Sequence, residues 1–191
     1  MPSNTATKIL DVAQAMVRHR GYSAFSYADI SAEVGIKKAS IHYHFPSKED
    51  LVKALVIRYR DRLAQRCVAI SRGQTTFREK VIEFAHLYLE GLEDDQICLC
   101  SMLTADFVVL PESIQSEISL FFAQAETWLS NLIQQGLDEG VWVGASSVAQ
   151  EAQGLIAMLQ GAQLMARSSG QSRKTFEALV YPLIDAKILA D

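Results

Sequence analysis

Apolar residues recur along most of this chain at spacings of three and four, the period of a helix with one buried stripe. Ile9, Val12, Ala13, Met16 and Val17 set it first, on a helix begun at Thr5 or Thr7 and stopped at Gly21. Arg18, His19 and Arg20 suit the dipole of its last turn. Ser26 and Asp29 form a capping box for a second helix carrying Ile30 and Val34, closed by Gly35. A third restarts near Lys37 and ends before Pro46, which lacks the amide proton a helix needs. Ser47 and Asp50 cap a long helix to about Ser71, apolar along Leu51, Leu55, Tyr59 and Leu63 and cationic through Arg58, Arg60, Arg62 and Arg66.

Past Gly73 the same period continues. Thr76 and Glu79 open a helix to about Gly91, followed by an acidic loop over 90–96 and a short helix over 98–109. Pro111 starts a long helix to Glu139, stopped by Gly140. Ser147 and Gln150 open another to Arg167 or Ser168, and the last spans 173–189 with a kink near Pro182. No stretch alternates at period two for long. The pattern predicts an all-α protein of about nine helices. Three form a head over 1–48, a connecting helix spans about 48–71, and a helical body fills 72–191.

The third helix shows which of its sides is free. At about 100° per residue Ile41 and Phe45 fall together and face the core, leaving Ala39, Ser40, His42 and Tyr43 on the other side. A small residue, a hydroxyl, an imidazole and a phenol suit base edges and phosphates. Helix, tight turn and second helix make a helix-turn-helix, whose second helix enters the major groove.

The run from Phe25 through Leu51 resembles the tetracycline-repressor (TetR) family of bacterial transcriptional regulators. The resembling residues are Gly21-Tyr22, Ile30, Val34-Gly35-Ile36, Ser40-Ile41 and the block from Tyr43 through Leu51. The resemblance covers roughly the first third of the chain and implies a DNA-binding regulator, a ligand-responsive repressor on a palindromic operator, and no enzymatic activity. Resemblance and helix geometry together give Lys38, Ala39, Ser40, His42 and Tyr43 as the groove-facing set. Ser26 and Tyr27 are expected on phosphates, and Lys37 is expected to raise the local potential. Lys48 matches a family lysine that holds the backbone, and His44, between core and groove, is open to a phosphate contact or a structural role. The pattern is broken by His42, where an aromatic is frequent, and by Ala28, where some relatives carry a base-reading arginine. The operator therefore cannot be inherited from a relative.

Charge sharpens the picture. The net charge of −4 divides into 11 Lys+Arg against 6 Asp+Glu over 1–66, and 7 against 16 over 67–191. A basic first third on an acidic remainder fits a nucleic-acid module carried by something that avoids phosphate. No leader and no long apolar run is visible, so a cytoplasmic protein without a membrane span is expected. Three cysteines, Cys67, Cys98 and Cys100, favour reduced thiols over a disulfide framework.

In the body, the resemblance implies a pocket whose occupant changes the separation of two DNA heads. The wall candidates are Phe84, Tyr88, Cys100, Met102, Phe107, Phe121, Trp128 and Met158, and they suit an apolar or aromatic small molecule. The helix around 153–165 is apolar or small almost all round. Gly154, Ala157, Gly161 and Ala162 would let a second backbone come close. With Phe176, Leu179, Val180, Leu183 and Ile184 they predict a two-fold homodimer interface. No metal or cofactor is expected. Two other readings remain open: a DNA-binding adaptor with no inducer, and a thiol or electrophile sensor through Cys98 and Cys100.

Overall fold

A computed structural model describes residues 4–144 and 147–189. Among them are nine α-helices: α1 (Asn4–Arg20), α2 (Tyr27–Val34), α3 (Lys38–His44), α4 (Lys48–Arg72), α5 (Phe77–His86), α6 (Leu99–Ala105), α7 (Glu112–Asp138), α8 (Val148–Arg167) and α9 (Ser172–Asp185). Two 3-10 turns, Leu92–Asp94 and Phe107–Val109, join them. The expected all-α architecture is the observed one.

Four helix entrances are closed by reciprocal boxes. Ser26 with Asp29, Thr76 with Glu79 and Ser147 with Gln150 open α2, α5 and α8. At the entrance to α4, the Ser47 amide donates to Asp50 Oδ2 at 3.0 Å, and the Asp50 amide returns a bond to Ser47 Oγ at 3.1 Å. Each box satisfies amide donors that a helix start leaves orphaned.

Packing divides the chain into two compact units, Met1–Arg62 with Cys98–Phe121, and Leu63–Ile97 with Phe122–Asp191. This is not the functional division expected over 48–72, because α6 packs on α1 within the first unit. The first unit buries Ile9, Val17, Ile30, Ile41, Leu51 and Leu103 completely. In the second, α8 packs along α9, and α9 also meets α5 and the Leu92–Asp94 turn, over a core that includes Phe84, Leu129, Leu159 and Phe176.

Three helices stop earlier than their apolar period predicts. α6 ends at Ala105 rather than Val109, and Phe107–Val109 forms a separate 3-10 turn. α5 ends at His86 rather than Gly91. The buried Gln163 amide donates to the Tyr88 carbonyl at 2.6 Å, a fold contact remote in sequence from the helix it interrupts. α9 ends at Asp185 rather than 189, and the chain beyond it pairs with 141–143 instead. Val143 N donates to Lys187 O at 2.8 Å, and Leu189 N to Val141 O at 3.0 Å.

The cationic side of α4 is largely engaged in ion pairs within the chain. Arg58 pairs with Asp11 at 2.8 Å and reaches Gln14 at 2.9 Å, Arg60 pairs with Glu117, and Arg66 pairs with Glu90 at 2.6 Å. The excess of positive charge in the first third therefore overstates what is available to phosphate.

Gly136 meets the Phe77 ring, which stands edge-on to Trp142 with centroids 5.7 Å apart. A Cβ at 136 would lie 2.5 Å from two ring carbons. A glycine-to-alanine change inside a helix ordinarily gains about 0.5–1 kcal/mol. Here overpacking, at about 1–3 kcal/mol, outweighs that gain. Gly136→Ala is expected to lower the midpoint of denaturant unfolding with little change in slope.

Candidate nucleic-acid interface

The helix-turn-helix is built from α2, a turn and α3. Ser26 Oγ accepts from the Ala28 and Asp29 amides at 3.2 and 3.4 Å, and the Ser26 amide donates to Asp29 Oδ2 at 2.8 Å. At the other end of α2, Gly35 adopts φ 73°, the left-handed conformation that lets the Gly35 and Ile36 amides both reach the Ser31 carbonyl. α3 then runs for 7 residues with no side-chain cap on Lys37. Ile41 is fully buried and Phe45 nearly so.

Ala39, His42 and Tyr43 are exposed on α3, Tyr43 to 84%. Lys37 and Lys38 are exposed with no ion-pair partner among the described residues, while Ser40 and His44 are half-buried. The His44 ring lies edge-on to Tyr43 with centroids 5.1 Å apart. The expected groove-facing set thus lies on one accessible side, with Ser40 at its margin.

The residues expected on phosphates have partners inside the fold. Tyr27 sends its hydroxyl to the Phe45 carbonyl at 2.8 Å and the Ser47 carbonyl at 2.6 Å. Burial and then the nearby Asp50 push its phenol up to about 12, so it keeps its proton and remains a donor. Between those carbonyls, Pro46 O lies 3.0 Å from His42 Nδ1. Lys48 donates to the Phe25 carbonyl at 2.7 Å, with its ammonium over the Phe25 and Tyr22 rings at 4.2 and 4.7 Å. Burial lowers the Lys48 pKa, against the opposing fields of Asp106 and Asp29. Ser26 has both hydroxyl and amide engaged in its capping box. The polar groups of Ser26, Tyr27 and Lys48 thus all have partners within the fold, which any phosphate contact they make would have to share or displace.

The eight pocket candidates fall four to each unit. In the first, Cys100 is fully buried, Phe121 stacks obliquely on Tyr59 with centroids 5.5 Å apart, and Met102 and Phe107 are half-buried. In the second, the buried Phe84 stacks on Trp128 at 5.1 Å and lies 5.9 Å from Tyr88. Trp128 itself donates to Ser71 Oγ at 2.9 Å. Met158 lines a surface cleft of about 360 Å³ with Trp142, Glu151 and Leu183. Burial pushes the Cys67 thiol up to about 12 and Cys100 well above its ordinary value, so neither is a thiolate near neutral pH.

On α8, Gly154 and Ala157 are exposed and Gly161 half-exposed, next to Leu164 and Met165 at 54% and 60% exposure. Leu183 of α9 is exposed to 53%. Ala162 of α8 and Phe176, Val180 and Ile184 of α9, also expected at the interface, are buried within the second unit itself, a correction of the side that each helix turns outward. An all-round apolar helix cannot reveal that side from its sequence. Leu164 and Met165 were consequently not singled out.

Residues 9–55 match the model of the bacterial regulatory proteins of the tetR family. The structure is similar to a TetR-family transcriptional regulator from Agrobacterium tumefaciens, with TM-score 0.92 and 32% identity over 99% of this chain and 100% of that one. A TetR regulator from Legionella pneumophila gives TM-score 0.89 and 35% identity over 98% and 99%. In sequence, the nucleoid occlusion factor SlmA of Marinobacter nauticus is 30% identical over 110 residues. That match covers 57% of this chain and only 56% of the relative.

Asp29 is held below its ordinary value of 3.8, first by the Ser26 hydroxyl and then by the Ser26 amide. A lowered folded pKa means its contribution is fully present above the unfolded value and is lost as pH falls through the folded one. Asp29→Asn is therefore expected to flatten the fall of stability below about pH 4, seen in unfolding midpoints across an acid series. Tyr27→Phe, which removes the one hydroxyl proton that the Phe45 and Ser47 carbonyls share, should cost about 1 kcal/mol in the same assay at neutral pH.

Proposed function

This chain belongs to the TetR family of DNA-binding transcriptional regulators, and we propose that it acts as a homodimeric, ligand-responsive repressor on a palindromic operator. One observation carries the DNA side of this reading. Ala39, His42 and Tyr43 are exposed along α3 while Ile41 and Phe45 anchor it from below. Lys37 and Lys38 at its start supply uncommitted positive charge for phosphate. Such a short helix reads few base pairs, so a useful specificity ratio calls for two half-sites and hence two copies.

The face bearing Gly154, Ala157, Gly161, Leu164 and Leu183 is the surface we assign to the second copy. It combines exposed apolar side chains with small residues that admit close approach. Among the described residues no helix is long and apolar enough to cross a membrane. A DNA operator as partner fits the cytoplasm.

The inducer would be an apolar or aromatic small molecule. A second reading, an adaptor that needs no inducer, is favoured by the contact between Phe84 and Trp128, which fill space against each other. Scanning a metabolite collection for compounds that release the operator separates the two: release supports the repressor, and uniform indifference supports the adaptor.

Tyr43→Ala is expected to weaken operator binding with the fold intact by circular dichroism. Replacing both Lys37 and Lys38 by Ala should lower the slope of log affinity against log salt by about 2. Leu164→Glu should turn the dimer into a monomer in sedimentation and cost the tight, two-site binding. Unchanged affinity and unchanged mass in these variants would contradict the assignment.

A further inference from the structure

We infer that His42 reads an exocyclic amine on a base edge, N4 of cytosine or N6 of adenine, through an imidazole locked with its proton on Nδ1. The inference rests on the reading that α3 faces the major groove. Nδ1 lies 3.0 Å from the Pro46 carbonyl oxygen. A carbonyl only accepts, so the proton of the neutral ring sits on Nδ1 and Nε2 is left as an acceptor. Nε2 has no hydrogen-bond partner among the described residues, and the side chain is exposed beside Ala39 and Tyr43.

The lock is itself held. The Tyr27 ring packs on the imidazole with centroids 4.8 Å apart and planes at 57°. The Tyr27 hydroxyl grips the carbonyls of Phe45 and Ser47, on either side of the one His42 uses. Ring and carbonyl are thereby fixed by one neighbour.

In the major groove only cytosine and adenine present an amine donor, while guanine and thymine present acceptors. An acceptor at His42 therefore distinguishes which strand of a base pair carries the amine. A tyrosine hydroxyl, which both donates and accepts, would not impose that choice.

The test begins with protein labelled at histidine nitrogens. Long-range proton–nitrogen correlation spectra are expected to show His42 protonated on Nδ1 and bare on Nε2, and a proton on Nε2 overturns the inference without any DNA. An operator is then selected from a random pool. Each cytosine or adenine is replaced in turn by 2-pyrimidinone or purine, which lack the amine and tell the two bases apart. One position per half-site should lose roughly two- to twelvefold in affinity, and His42→Ala should be indifferent to that replacement. If salt-dependent binding persists but no such position exists, the amine reading fails and the DNA-binding reading stands. If no salt-dependent binding is found, both fail. Should His42→Ala not fold, the spectra and the base replacements on the unaltered protein decide alone.

Discussion

A helix of two turns does not persist in water by its own hydrogen bonds, because nucleation costs more than so few bonds return. α3 is 7 residues long and lacks a side-chain cap at its start. Its existence therefore depends on what holds it from outside. Ile41 and Phe45 supply the apolar anchor, and three successive carbonyls after the helix are taken by the polar tips of Tyr27 and His42. Everything the exposed side of α3 does is conditional on that restraint.

The restraint explains a division of labour among residues that look alike in sequence. Ser26, Tyr27 and Lys48 have the chemistry of phosphate ligands, yet Ser26 is engaged in closing α2, and Tyr27 and Lys48 join the entrance of α2 to the start of α4. Lys37, Lys38 and Tyr43 have the same polarity without those partners and remain available. The same holds along α4, where Arg58, Arg60 and Arg66 each meet a carboxylate. A count of charges does not separate the two kinds. A list of partners does.

Helix entrances were legible because a capping box is local, a hydroxyl and an acceptor three residues apart. The free side of α3 was legible because two apolar residues four apart leave little choice of face. What escaped depended on residues far apart in sequence. Nothing near Gly91 announces that the Tyr88 carbonyl is taken by Gln163, and nothing near 189 announces the backbone pairing with 141–143. The rotational phase of α8 was likewise hidden, since its apolar residues leave no polar side to mark the outside. The seat of Lys48 was hidden for a related reason, as the rings under its ammonium lie more than twenty residues earlier.

The four capping boxes are alike in shape but not in chemistry. Those at Ser26, Ser47 and Thr76 close on a carboxylate, and the one at Ser147 closes on the Gln150 carboxamide, whose oxygen accepts from the Ser147 amide at 3.2 Å. A carboxamide has no proton to gain in mild acid. Asp29 and Glu79 are both held below their ordinary values by their boxes, so acidification reaches the entrances of α2 and α5 and passes over that of α8, which keeps its beginning tied when the helix-turn-helix has begun to loosen.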